Sequence, residues 1–179
     1  MQIIIQKIDR LNDVIGRSIK WLTLAMVLIT FLVVLLRYAF SIGWIAMQES
    51  VIYLHSIVFM LGAAYTLKRN AHVRVDIFYE KMTPRSKAWV DLLGVTFLLI
   101  PFCLFILIIS WNYVSLSWSL LESSRDAGGI PAIFLLKSTI PLMAALLLLQ
   151  GIAQGLRSIL TLRGQPMNTD TPTDKRIPD

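Results

Sequence analysis

A single cysteine, Cys103, stands in this 179-residue chain, inside an apolar run. No disulfide, cysteine-pair redox centre or zinc site can be built within one copy. Histidine is almost as scarce, with His55 and His72 alone. Two residues exclude a multi-haem protein, and His72 falls in a basic loop, where it does not suit a membrane bis-histidine haem. There is no glycine-rich phosphate loop, no nucleophile with a base nearby and no cluster of metal-ligating side chains. These gaps point away from an enzyme and give no expectation of a cofactor or metal.

Charge is also sparse. Asp, Glu, Lys and Arg make up 16% of the chain against 56% hydrophobic residues, and the mean hydropathy is +0.67. A soluble domain of this length needs far more polar surface, so the chain reads as an integral membrane protein. The net charge of +6 does not indicate nucleic-acid binding, because the basic residues flank apolar segments and topology accounts for them. No cleavable leader is expected. The first apolar run begins near Trp21, is long and lacks a clear small-residue cleavage site, so it reads as a retained first helix.

The chain is organised around residues 44–76. An aromatic, Trp44, opens this stretch and Glu49 follows. A run of bilayer length then breaks into Lys68, Arg69, His72, Arg74 and Asp76. The fold class expected is all-α membrane protein: four transmembrane helices at about 19–40, 44–67, 85–121 and 131–160. Residues 1–18 form an amphipathic N-terminal helix, in which Ile4, Ile5, Ile8, Leu11 and Ile15 recur near helical spacing. Either it lies on the inner membrane surface or it simply extends helix 1. Residues 19–162 form the membrane domain, and 163–179 read as a disordered cytoplasmic tail. Thr83 and Pro84 resemble a helix start. Pro101 is expected to kink the third helix, and Gly62, Ala63 and Ala64 offer a small-residue packing face on the second.

Lys and Arg gather at the N-terminal segment, the loop between helices 2 and 3, and the C-terminal end. The two opposite turns hold Arg37 and Arg125, with Lys137 nearby. Both termini are therefore expected in the cytoplasm. Arg37, Glu49 and Lys137 fall in the outer quarter of the bilayer. The favoured expectation is ion pairing, within the chain or with a partner subunit, Arg37 with Glu49 foremost; the alternative is that each side chain snorkels alone. His55 is expected to be buried and hydrogen-bonded, ahead of a proton relay with Glu49. The midplane is almost purely apolar, which argues against a substrate path through this chain.

These residues resemble the small membrane subunit of tripartite ATP-independent periplasmic (TRAP) transporters, the DctQ-like proteins. The similar features are Arg37, Tyr38, Ala39 and Phe40, then Trp44 and Glu49. They continue with Gly62, Ala63, Ala64 and Tyr65, the run from Arg69 through His72, Val73, Arg74 and Val75 to Asp76, and Pro141 with the Leu-rich run after it. The resemblance covers about residues 8–162, and its most specific part is 62–76. It implies a bacterial inner-membrane, multi-pass protein without a transport pathway of its own. It also implies a large membrane subunit (DctM-like) as partner, a periplasmic solute-binding protein, a carboxylate substrate and an ion gradient. On this resemblance Arg37, Trp44, Glu49 and Lys137 fix the outer helix ends or touch the large subunit or lipid. Gly62, Ala63 and Ala64 serve helix packing. Arg69, His72, Arg74 and Asp76 order the inner loop and reach phospholipid phosphates. Two other readings stand beside it: an accessory or assembly subunit of another membrane complex, and a small quinone-linked membrane enzyme.

Overall fold

The computed structural model describes residues 1–69, 79 and 81–164. His72, Arg74 and Asp76 lie outside the described residues, as does the expected tail beyond Gly164. Four helices are long and apolar enough to cross a membrane: α1 (Gln2–Ala39), α2 (Ile45–Lys68), α3 (Pro84–Ser119) and α4 (Ile133–Leu162). Among the described residues there is no strand. The chain is an all-helical, multi-pass membrane protein.

The residues dictate where the helices stop. Phe40 caps α1, Ser41 takes the left-handed conformation (φ +54°), and the Ile42 amide closes back onto the Leu36 carbonyl at 3.0 Å. That seven-residue closure reverses the chain at once, so α2 returns directly alongside α1. At the start of α3, Thr83 Oγ1 accepts the Ser86 amide at 3.3 Å and Pro84 occupies the first turn. There Pro84 lacks only an N–H that would have had no helical partner.

Helix α3 is not regular throughout. Val95–Leu99 forms one π-helical turn just before Pro101. Proline cannot donate to the carbonyl four residues back, and the wider turn falls where that bond is missing. The disturbance expected at Pro101 thus appears on its N-terminal side.

Helix α4 is the hub. It packs against α2 and α3 and also meets α1. Ala144, Leu146, Leu147 and Ala153 are buried on it, and Leu146 and Leu147 join Ala64 of α2 and Cys103 of α3 in one apolar cluster. Helix α1 runs for 38 residues, about 57 Å at the α-helical rise, nearly twice the hydrocarbon thickness. Residues 1–18 therefore continue into the first membrane span without a break. Their buried face is Ile5, Ile8 and Asn12, at the three- and four-residue spacing of one helical stripe.

Candidate functional site: polar clamps at the two ends of the helices

Most of the polar side chains that hold the helices together gather at the two ends of the molecule, with Ser56 and Thr139 meeting between them across α2 and α4 at 3.1 Å. At the end where α1 begins and α4 finishes, three contacts tie α1 to α2 and α4. Asn12 Nδ2 donates to Gln150 Oε1 at 2.7 Å with both side chains buried. Lys68 Nζ lies 2.6 Å from Asp13 Oδ2 and donates to the Asp9 carbonyl at 3.0 Å. Arg157 forms an ion pair with Asp9. Asp9, Asn12 and Asp13 share one face of α1 because they stand three, four and one positions apart. Gly16, one turn on, lies so close to the Tyr65 ring that a Cβ there has no room. Tyr79 Oη donates to Asp91 Oδ2 at 2.9 Å and steadies the start of α3.

The opposite end is built around two carboxylates. Glu49, in the second turn of α2, accepts the Ile130 amide at 2.6 Å and the Ser124 hydroxyl. It therefore holds the α3–α4 connection down onto α2. Gly129 sits against both Ser124 Oγ and Glu49 Oε1, in a space that a side chain would fill. Glu122, just past the end of α3, accepts the Ser117 hydroxyl at 2.7 Å and pairs with Lys137 of α4. The hydrogen bond from the Lys137 ammonium, followed by that from Ser117, holds the Glu122 carboxyl below the usual carboxylate range, against a smaller opposing effect of burial. The Lys137 ammonium also stands 4.1 Å from the centre of the Tyr113 ring. Trp118 completes the seam, donating through Nε1 to Ser138 Oγ at 2.8 Å and meeting Phe134 edge-on at 4.7 Å.

Several expectations change here. Arg37 does not pair with Glu49: it is exposed at the end of α1, and among the described residues it makes no ion pair. Glu49 is turned toward α4, where the loop supplies an amide donor. Lys137 pairs with Glu122 instead of joining a layer with Arg37. His55 is exposed rather than buried and hydrogen-bonded; its ring stacks on Phe59 with centroids 6.2 Å apart. On the small-residue face, Ala64 is fully buried and Ala63 packs against the core. Gly62 has room to spare, with Ile19 Cδ1 at 3.9 Å from a Cβ built there. Trp44 is exposed at the start of α2, and Arg69 is exposed beside the Tyr65 ring at 5.4 Å.

Sequence reasoning missed Glu122, Ser124 and the Ile130 amide, because nothing in a turn of mixed polarity marks which carboxylate meets which donor. It also missed Asn12, for which a signal exists: it continues the Ile5–Ile8 stripe as a polar residue on an apolar face. Among the described residues, no three His, Cys, Asp or Glu side chains come together as a metal-holding group.

Four apolar helices clamped by polar groups at both ends define a multi-pass membrane protein. Residues 26–161 match the family described as "Tripartite ATP-independent periplasmic transporters, DctQ component", and the chain belongs to that family. It is similar to the C4-dicarboxylate TRAP transporter small permease protein DctQ of Vibrio cholerae, with 32% identity over 89 residues. That stretch covers 50% of this chain and 38% of the relative's length. No solved structure matches the chain.

Proposed function

We propose that this protein is the small permease subunit of a TRAP-type secondary transporter in the bacterial inner membrane. Both termini lie in the cytoplasm on this reading, with the Glu49 and Glu122 clamps at the periplasmic end. The protein braces a large, DctM-like membrane subunit, which imports a carboxylate solute delivered by a periplasmic binding protein and driven by an ion gradient. The observation that carries the reading is the family match over residues 26–161. The distribution of polar groups supports it. Among the described residues the ion pairs fasten helix to helix at the two ends, while the apolar cluster of Ala64, Cys103, Leu146 and Leu147 lies between them. A scaffold subunit requires that pattern, whereas a carrier needs a polar site at the midplane.

The test is co-purification. The chain is tagged at its C-terminal tail, expressed from its native gene cluster and extracted in mild detergent. A much larger polytopic partner in stoichiometric amount is the expected result, with solute uptake dependent on the binding protein. Recovery of this chain alone under several gentle detergents overturns the reading.

A further inference from the structure

A cavity of about 300 Å³ opens between α2, α3 and α4 at the end where α4 finishes. Lys68 of α2, Lys87 and Asp91 of α3, and Gln154 and Arg157 of α4 stand in its wall. Its volume is at the lower limit of small-ligand sites.

Helix α3 fixes the depth of this cavity in the bilayer. Ala88 lines it, and the next residue, Trp89, is exposed. An exposed tryptophan at a helix end marks the membrane–water interface. Further along α3 the outward side chains are apolar: Leu93, Phe97, Leu98 and Phe102. The cavity therefore lies at the level of the lipid headgroups. Gly94 stands seven positions after Lys87, on the same face of the helix. A side chain there would meet nothing within 4 Å. Leu98, exposed, follows one turn on. The polar cavity thus opens onto apolar surface.

The charges decide what fits. Lys68 and Arg157 are matched from α1, by Asp13 and Asp9. Lys87 and Asp91 are not matched. They stand one turn apart on α3, about 5–6 Å between β-carbons, where a lysine and an aspartate ordinarily pair. Tyr79 holds them apart. Its ring takes the Lys87 ammonium at 5.2 Å, and its hydroxyl donates to Asp91 at 2.9 Å. Among the described residues neither Lys87 nor Asp91 forms an ion pair. Two half-buried charges of opposite sign therefore face one cavity side by side. Lys68, Lys87 and Arg157 are balanced in number by Asp9, Asp13 and Asp91, so a net anion finds no surplus of positive charge. A ligand carrying both signs, linked by a short bridge, matches the open pair.

We propose that this cavity binds the headgroup of a zwitterionic glycerophospholipid. The phosphodiester meets the Lys87 ammonium, the headgroup amine meets the Asp91 carboxylate, and the acyl chains leave over Gly94 and Leu98. Basic cavities between membrane helices are suited to phospholipid headgroups, and the carboxylate adds the choice among them. The leaflet is the inner one on the orientation given above.

The experiment takes the full chain, purified in detergent and stripped of lipid. It is titrated with a short-chain phosphatidylethanolamine, with the phosphatidylglycerol of the same chains, and with inorganic phosphate. Melting temperature and native mass spectrometry are read together. The ethanolamine lipid is expected to raise the melting temperature saturably and to add the mass of one lipid. The glycerol lipid is expected to bind about tenfold more weakly, for want of one charge-assisted hydrogen bond. Phosphate is expected to leave the protein unchanged. Asp91→Asn is expected to erase the preference between the lipids, and Lys87→Ala to weaken both about tenfold. Lys87→Arg, which keeps the charge, is expected to bind as the parent chain does. Tyr79→Phe keeps the ring but frees Asp91 to close on Lys87, and is expected to weaken the ethanolamine lipid. Arg85→Ala, at an exposed position outside the cavity wall, is expected to change nothing. Equal binding of the two lipids by the parent chain overturns the proposal, as does a response to phosphate matching the response to lipid. A lipid adduct untouched by Lys87→Ala, Asp91→Asn and Tyr79→Phe puts the lipid elsewhere and also overturns it. The scaffold reading is decided separately, by co-purification.

Discussion

Asn12 and Gln150 are 138 positions apart and share a buried hydrogen bond of 2.7 Å. Each amide still has an unpaired buried atom, Oδ1 on Asn12 and Nε2 on Gln150. The pair is therefore only half satisfied, and its removal is asymmetric. Asn12→Ala strands the Gln150 amide in an apolar seam and is expected to cost about 2 kcal/mol. Replacing both residues by leucine removes the stranded groups and is expected to cost far less than the sum of the single changes. Thermal unfolding of the purified protein in detergent, measured as a double-mutant cycle, decides it. Additive losses would show that the bond itself contributes little.

The Lys68–Asp13 ion pair beside it differs in what each partner leaves behind when removed. The Lys68 side chain is 5% exposed, so Asp13→Ala leaves a buried ammonium held by one backbone carbonyl. A loss of about 3 kcal/mol is expected. Lys68→Met strands the Asp13 carboxylate instead, but that side chain is 34% exposed and keeps water, so it is expected to be the milder change in the same melting assay.

Glu49 holds the α3–α4 connection through two donors, and Gly129 leaves the room for it. Glu49→Gln weakens the grip on the Ile130 amide and on Ser124, while Gly129→Ala forces a methyl group into both. Each is expected to lower the yield of the assembled transporter and its solute uptake, Gly129→Ala more severely. Undiminished uptake by both variants at equal membrane levels would remove Glu49 from any structural role.

The Glu122–Lys137 pair predicts a pH signature. The folded-state pKa of Glu122 is lowered, so its contribution is present above the ordinary carboxylate range near 4.3. It is lost as pH falls through the lowered value. The melting temperature of the parent chain should exceed that of Glu122→Gln at neutral pH, and the gap should close on acidification below that range. A gap that stays constant with pH would mean that the carboxylate charge is not what matters.

Ser41 adopts the left-handed conformation at φ +54°, which costs a residue with a side chain more than it costs glycine. Ser41→Gly is expected to raise stability by about 0.5 kcal/mol, read as a higher melting temperature. A lower one would indicate that the serine hydroxyl has a role in the turn.

Much of the architecture was legible because its causes are local. Length and hydropathy mark a bilayer span, and Thr83 with Pro84 marks a helix start; neither depends on what the helix meets later. The family resemblance was readable from residues such as Trp44, Glu49 and the run from Gly62 to Tyr65. The pairings were not readable, because they are tertiary. Counting depth from the interfaces correctly put Glu49, Arg37 and Lys137 near one end of the helices, but depth says nothing of azimuth. Glu49 turned toward the α3–α4 loop and Lys137 toward Glu122, and Arg37 was left outside. His55 illustrates the same limit. A polar residue in a membrane segment is normally turned inward against a partner, and whether that partner belongs to the same chain is not written in the helix itself. The continuity of α1 through Lys20 was one of two open readings. What favours it is Asp9, Asn12 and Asp13, which find partners on α2 and α4.

Those same partners impose an order in time. Asp9 and Asn12 emerge from the ribosome first, but Arg157 and Gln150 are among the last membrane residues made. The first helix can enter the bilayer and pair with α2 early, yet its protruding half has no lock until the fourth helix arrives. Until then that half is held to α2 through Lys68, which meets Asp13 and the Asp9 carbonyl, and through the Gly16–Tyr65 approach. The far-separated bonds then close in one late step, with the loop-closure cost such contacts carry. A chain without α4 therefore lacks the partners of Asp9 and Asn12 on that helix, and its N-terminal arm is held by α2 alone.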